Sequence, residues 1–426
     1  MNSTQTCDAI VIGGGPAGSA AAAIMAEKGL RVIVLERDKF PRYHIGESLI
    51  PFTFHPLQRL GLVERMRQSA FVKKRSIQFV PPSGQSSHPF YFSTRYDADV
   101  SQTWQVLRSE FDLMLLDNAR DKGATVLEEV AVADFIEEGN AIVGVRAQTA
   151  QGQVIEVRAP VTVDCSGRDA LGATRKNWRV RDPKLNKVAV WTYYRGAKRD
   201  PGLAAGATTV AFVAEKGWFW YIPQHHDQIS VGVVAEGKYL TRDGVKDPGQ
   251  IFQREVGQNL WVKEHLECGT QFGPYFLTSE YSYRSRYSAM DGLVLAGDAF
   301  GFLDPVFSSG VMLALKSGVL AADAIEAAWA TRDFSAGRFA DYSAQMREGI
   351  ENMRKLVYAF YDPAFSFRTA IDAQPELAGD ITDCLSGDVN KDFSRLFTAI
   401  SEYADIPKAL PYGYPLAEAP ALVAAM

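Results

Sequence analysis

The spacing of apolar and polar positions changes period several times along the chain. Asp8-Ala9-Ile10-Val11-Ile12 is a short apolar run leading straight into Gly13-Gly14-Gly15-Pro16-Ala17-Gly18. An alanine-rich helical stretch follows from Ser19 to Glu27, and then a second strand from Arg31 to Leu35 that ends on Glu36. Two more short apolar runs lie further on: Val161 to Asp164, before Cys165-Ser166-Gly167-Arg168, and Leu293 to Ala296, before Gly297-Asp298-Ala299. Between them the period drops to two, as in Val188, Val190, Thr192 and Tyr194. Strands are predicted at Lys187 to Tyr194, Thr208 to Ala214, Trp218 to Pro223 and Gln228 to Ala235. Arg75 to Val80 and His88 to Ser93, joined by a Pro-Pro-Ser-Gly turn, read as a hairpin. Beyond Ala330 the pattern turns helical, with Met346, Ile350, Met353, Val357 and Phe360 on one face.

Strands alternating with helices predict an α/β architecture with a parallel, Rossmann-type sheet. The nucleotide-binding domain is expected to be discontinuous (1–74, 103–180 and 282–330). Its inserts, 75–102 and 181–281, would form an antiparallel β-sheet domain that holds substrate. Residues 331–426 read as a C-terminal helical extension, with a Pro- and Ala-rich tail from Leu410 expected to be loosely ordered. The apolar run from Val306 to Ala330 is interrupted by Lys316, Asp323 and Glu326, so a buried helix is expected there and not a membrane span. At 426 residues with a net charge of -5, the chain carries no basic footprint for nucleic acid. The four cysteines lie far apart without metal spacing, and the N-terminus lacks a signal-peptide pattern; both point to a reducing, cytoplasmic setting and to no bound metal.

Strand, GxGxxG, helix, strand and acid occur in the order that binds a dinucleotide. Gly13 permits the tight turn, Gly15 lets backbone approach a pyrophosphate, and Gly18 lets the helix pack on the sheet. Glu36, 21 residues after Gly15, would accept ribose hydroxyls. FAD is favoured over NAD by Arg108, ahead of an amphipathic helix, and by Gly297-Asp298, which would set a carboxylate beside a ribityl chain. The domain resembles the glutathione-reductase-like fold of the p-hydroxybenzoate hydroxylase class.

Three further segments carry chemistry. Asp304-Pro305-Val306-Phe307-Ser308-Ser309-Gly310 opens a helix with exposed backbone N–H groups, an anion nest next to the flavin element; plain capping by Ser308 or Ser309 is the simpler alternative. Gly46-Glu47-Ser48-Leu49-Ile50-Pro51 is placed to form a loop over the ring. Phe71-Val72-Lys73-Lys74-Arg75 reads, on charge alone, as a solvated basic run.

With Gly217-Trp218-Phe219-Trp220-Tyr221-Ile222-Pro223, these motifs make the chain resemble a flavin-dependent halogenase from about residue 8 to residue 330. GWFWYIP follows that family's GWxWxIP pattern. The resemblance implies cofactor contacts from Gly13, Gly15, Ala17, Gly18, Glu36, Arg37, Glu47, Ser48, Arg108, Gly297, Asp298, Pro305 and Gly310. It implies that reduced FAD, supplied by a separate NAD(P)H-dependent flavin reductase, reacts with O2 to a C4a-hydroperoxide. Chloride or bromide held by the Ser309 and Gly310 N–H groups then yields a hypohalous species. Lys74, with Lys73 one position away, receives it as a haloamine or by hydrogen bonding and passes it to an electron-rich aromatic. Trp218 and Trp220 would separate flavin from substrate.

The free-tryptophan branch has a glutamate where this chain has Phe307, so the phenol and pyrrole branch is the better match. Some members of that branch act on substrates tethered to an acyl or peptidyl carrier protein. Without the glutamate, His44, His55 and Tyr221 are the candidates for polarising the substrate. The rival expectation is an FAD monooxygenase, or an isoprenoid or lipid reductase, on the same fold.

Overall fold

The computed structural model describes residues 3–418 apart from 82, 85–87, 98, 183, 215, 216, 280 and 281. Part of the Pro-Pro-Ser-Gly turn and the last eight residues of the tail therefore lie outside the described residues. At the centre is a seven-stranded sheet in the spatial order Tyr414–Pro415, Tyr287–Met290, Leu293–Leu295, Thr162–Asp164, Ala9–Ile12, Val32–Leu35 and Thr125–Leu127. Its five strands from Leu293–Leu295 to Thr125–Leu127 are parallel neighbours. Their continuous apolar runs follow from burial on both faces.

One face is covered by the helix Pro16–Glu27, whose Ala20 to Ala23 are fully buried. Small residues let it lie close to the sheet and to the Gly310–Thr331 helix. At Gly18 the approach is closest: a Cβ there would stand 1.9 Å from the Gly13 carbonyl oxygen, so no other residue fits.

A second seven-stranded sheet runs Thr270–Ser279, Lys187–Arg195, Gln228–Glu236, Trp218–Gln224, Thr208–Phe212, Ser76–Val80 and Phe90–Tyr91. The four strands expected from period two are present, and Ser76–Val80 pairs with Phe90–Tyr91 as a hairpin. The sheet is not purely antiparallel, however: Thr208–Phe212 runs parallel to Ser76–Val80, because the chain adds two strands to the central sheet between them. Thr270–Ser279, absent from the sequence expectations, forms the far edge; none of its residues is fully buried, which weakens the apolar signal. A four-stranded sheet of Ser3–Thr6, Val130–Glu138, Ala141–Thr149 and Val154–Arg158 stands beside the nucleotide-binding sheet.

The helix Ala340–Tyr361 buries Met346, Ile350, Met353, Val357 and Phe360, as their spacing indicates. The tail differs from expectation. Tyr414–Pro415 adds a parallel edge strand beside Tyr287–Met290, with Arg347 stacked 3.6 Å over the Tyr414 ring. Among the described residues no helix is long and apolar enough to cross a membrane.

Candidate active site

A cavity of about 560 Å³ opens between the two large sheets, at the carboxyl ends of the parallel strands. Ligands of open α/β sheets bind at that edge. Gly13, Gly15, Ala17, Glu36 and Arg37 line one end, Gly297, Asp298, Pro305 and Gly310 another, and Glu47, Ser48 and Arg108 lie between them. Gly18 stands behind the loop, under the helix. Gly15 presents bare backbone; a Cβ there would meet only the Arg42 guanidinium at 3.5 Å. Glu36 is held by the N–H groups of Gly14 and Asp38, at 2.6 and 2.8 Å.

Arg108 is not a free cation. It donates two bonds to Asp112, at 2.7 and 2.9 Å, and Nη1 donates to the carbonyls of Ile45 and Gly46. It thereby fastens the Gly46-Glu47-Ser48 loop to the helix Arg108–Asp121 at the cavity wall. Asp298 is pushed up to about 6 by desolvation, against the pull of Arg108 and Arg168. These residues suit a flavin dinucleotide: glycine backbone for phosphates, Glu36 for ribose and Asp298 for ribityl hydroxyls.

The aromatic segment is split by strand geometry. Trp218, Trp220 and Ile222 line the cavity, whereas Phe219 and Tyr221 face a second core and pack edge-on against Phe252 and Trp261. The wall is therefore two rings deep, not four. Trp220 reaches across the sheet to Trp191, 6.1 Å between centroids, because the strand between them carries Gly232. A Cβ on Gly232 would stand 2.4 Å from the Trp220 ring. The indole N–H of Trp220 donates to Ser230, and that of Trp218 to Tyr361. Tyr361 in turn donates to Asp304, whose other oxygen accepts the Val306 N–H. Asp304 is buried, and desolvation pushes it up to about 6. One chain of hydrogen bonds thus joins the aromatic strand, the C-terminal helix and the loop that starts the Gly310–Thr331 helix.

At that loop Ser308 adopts the left-handed conformation and Ser309 is the N-cap residue, yet no serine side chain caps the helix. Gly310 lines the cavity with nothing within 4 Å of its Cβ position, while Ser309 itself is buried. Among the described residues, the first-turn N–H groups at the positive end of this 22-residue helix therefore have no side-chain cap.

Lys73 is exposed, whereas Lys74 is fully buried, which departs from a solvated basic run. Pairing of Val72–Lys74 with Thr103–Gln105 turns Lys74 inward. Its Nζ donates to Ser48 Oγ at 2.8 Å and to the Leu49 carbonyl at 2.9 Å. Ser48 also bonds Thr208, and Thr208 is bonded by Gln105. Ser48 and Thr208 line the cavity, so Lys74 stands one residue behind its wall. Burial alone lowers the Lys74 amine from 10.5 to about 7.

Of the three polarising candidates, only His44 lines the cavity; desolvation and Arg108 hold it down to about 4, a neutral imidazole. His55 is exposed, and Tyr221 is turned to the second core, where it donates to the Lys198 carbonyl. Phe307 is buried edge-on against Phe360 and Phe367. Tyr361, Gly232, Thr208 and Gln105 were not singled out in the sequence, since only the folded chain brings them to this place.

The family model described as tryptophan halogenase matches residues 8–104 and 91–370. The chain belongs to the flavin-dependent halogenases. It is 32% identical over 405 residues to a 1H-pyrrole-2-carbonyl-[peptidyl-carrier protein] chlorinase of Pseudomonas fluorescens, covering 90% of this chain and 89% of that one. A brominase named for the same carrier-bound pyrrole, from Pseudoalteromonas luteoviolacea, is 32% identical over 351 residues, covering 79% and 84%. The solved structure of the flavin-dependent brominase Bmp2 superposes with a TM-score of 0.84 at 30% identity, covering 94% of this chain and 99% of that one. The halogenase is thus an oxidoreductase that uses FADH2, O2 and halide to halogenate aromatic compounds. A monooxygenase or lipid reductase on the same fold is not favoured.

Proposed function

We propose that this halogenase transfers halogen through Lys74 to an electron-rich pyrrole or phenol presented on an acyl or peptidyl carrier protein. When bound, reduced FAD supplies the two-electron activation of O2 that turns halide into hypohalous acid and water. The chain's own part is to hold halide at the N–H groups of Ser309 and Gly310, where the helix end favours an anion. Trp218 and Trp220 line the same cavity and keep the aromatic substrate off the flavin side.

The observation that carries the reading is Lys74. A neutral amine has two hydrogens, and both are occupied by Ser48 and the Leu49 carbonyl, which leaves the nitrogen lone pair free. That lone pair attacks the halogen of the hypohalous acid; an N–halogen bond forms and water leaves. The aromatic carbon then takes the halogen, its proton is lost, and the amine is restored. A pKa near 7 keeps much of the amine neutral at physiological pH. The carrier-bound pyrrole is supported by the two relatives named for it.

Reduced flavin comes from a separate NAD(P)H-dependent reductase, a reading that rests on the family. A cytoplasmic setting fits the four free cysteines. The test is incubation with reduced FAD, O2 and chloride or bromide, with pyrrole-2-carboxyl-loaded carrier protein, free pyrrole-2-carboxylate or a simple phenol as acceptor. Halogenated carrier-bound product by mass supports the proposal. Turnover of the free acid at an equal rate rejects the carrier, and product formation by Lys74→Met rejects the lysine.

A further inference from the structure

The turn between Trp218–Gln224 and Gln228–Glu236 carries two adjacent histidines that the cavity does not use. His225 is buried and His226 exposed. The left-handed backbone of His226 and Asp227, φ 59° and 54°, closes the turn with both rings on one side, 4.2 Å between centroids. Glu110, in the first turn of the helix Arg108–Asp121, reaches the pair. Its oxygens stand 3.2 and 3.1 Å from His225 Nε2, and Oε1 stands 3.6 Å from His226 Nε2.

We propose that Glu110, His225 and His226 form a binding site for a divalent cation of the zinc, nickel or copper class. One ligand atom from each residue lies within 4.8 Å of the others. Ligands bound at about 2.0–2.2 Å from one ion stand about 3–3.5 Å apart, so small side-chain shifts close the set. Two imidazoles and one carboxylate suit these metals and not the hard cations calcium and magnesium. Three protein ligands leave a position open to water.

An ordinary His–Glu hydrogen bond would need only His225; the second imidazole has no role in it. Among the described residues the buried His225 Nδ1 has no hydrogen-bond partner, so moving the ring proton from Nε2 to Nδ1 when Nε2 takes the metal breaks no bond at Nδ1. An ion here would fasten the helix bearing Arg108 to the strand bearing Trp218 and Trp220.

The experiment is titration of tag-free, FAD-loaded protein with Zn2+ against a chromophoric chelator at neutral pH. The variants are His226→Ala and Glu110→Gln. The amide of the second keeps the hydrogen bond to His225 but removes the anionic ligand. One Zn2+ per chain is expected, with Kd in the micromolar range or below, weakened about tenfold or more in each variant. Zn2+ should raise the unfolding midpoint of the wild type but not of His226→Ala. The flavin absorbance, unchanged in both variants, shows that they are folded. Absence of stoichiometric binding, or equal affinity in wild type and His226→Ala, overturns the proposal. Loss of binding in Cys268→Ser but not in His226→Ala would do the same, by assigning the ion to that exposed thiol.

Discussion

Replacing Lys74 by methionine tests both the chemistry and the electrostatics of the buried amine. Burial holds it at about 7 instead of 10.5. At about 1.4 kcal/mol per pH unit, that is about 5 kcal/mol against charging it in place. Since the folded value lies below the unfolded one, the penalty is complete below pH 7. Between pH 7 and 10.5 the unfolded chain carries a proton that the native chain lacks, so stability rises with pH across that window.

Methionine fills similar volume without charge and abolishes this slope. It also strips the Leu49 carbonyl of its donor and Ser48 of one partner, a cost of about 1–3 kcal/mol. Lys74→Met is therefore expected to be more stable than wild type by about 2–4 kcal/mol at pH 6 and less stable by about 0–2 kcal/mol near pH 10. Urea midpoints of the FAD-saturated proteins at intervals of pH measure it. Two profiles that stay parallel from pH 6 to 10 would show that Lys74 does not titrate there and would refute the argument. At every pH the variant should retain flavin absorbance and yield no halogenated product.

Gly310→Asp places a carboxylate in open space at a helix start; stability should change by less than about 1 kcal/mol, and in the favourable direction. The halide concentration giving half-maximal turnover at saturating FAD should nevertheless rise about tenfold or more, by charge repulsion. Tyr361→Phe removes the donor to Asp304 and the acceptor of Trp218, costing about 1–3 kcal/mol. Asp304 already sits above its usual 3.8, so the native state loses stability as pH rises from about 4 to about 6. The variant pushes that carboxyl higher still, and its deficit in urea midpoint should be larger at pH 7 than at pH 5. Gly232→Ala sets a methyl 2.4 Å from the Trp220 ring. A loss of about 1–3 kcal/mol, with a shift of tryptophan emission, should result; an unchanged midpoint would mean that the ring does not occupy the gap.

What was legible in the sequence is what neighbouring residues determine together. The glycine loop, its helix and Gly297-Asp298 are contiguous signals whose spacing already encodes the turn, and the four period-two strands follow from alternation. The aromatic run was legible as a motif but not as a surface, because four consecutive rings hide the alternation that sends Phe219 and Tyr221 to another core. Lys74 could be chosen over Lys73 only by family pattern; the pairing with Thr103–Gln105 that turns it inward involves residues about thirty positions away. Tyr361 and Asp304 lie 57 residues apart, and Tyr361 and Trp218 143 apart, so no local pattern joins them. The Tyr414–Pro415 strand was hidden by a composition that reads as loose tail, since its partner is an edge that only the folded sheet exposes.

The alternation within Trp218–Gln224 has a consequence for how such an enzyme can change. Trp218, Trp220 and Ile222 face the cavity, whereas Phe219 and Tyr221 hold the sheet to the helices Pro248–Gln258 and Leu260–Leu266. Cavity lining and core packing thus lie on opposite sides of one seven-residue strand. A library varied at 218, 220 and 222 alone can explore new acceptors while the anchoring side stays intact, and one varied at 219 and 221 can harden the protein without touching selectivity.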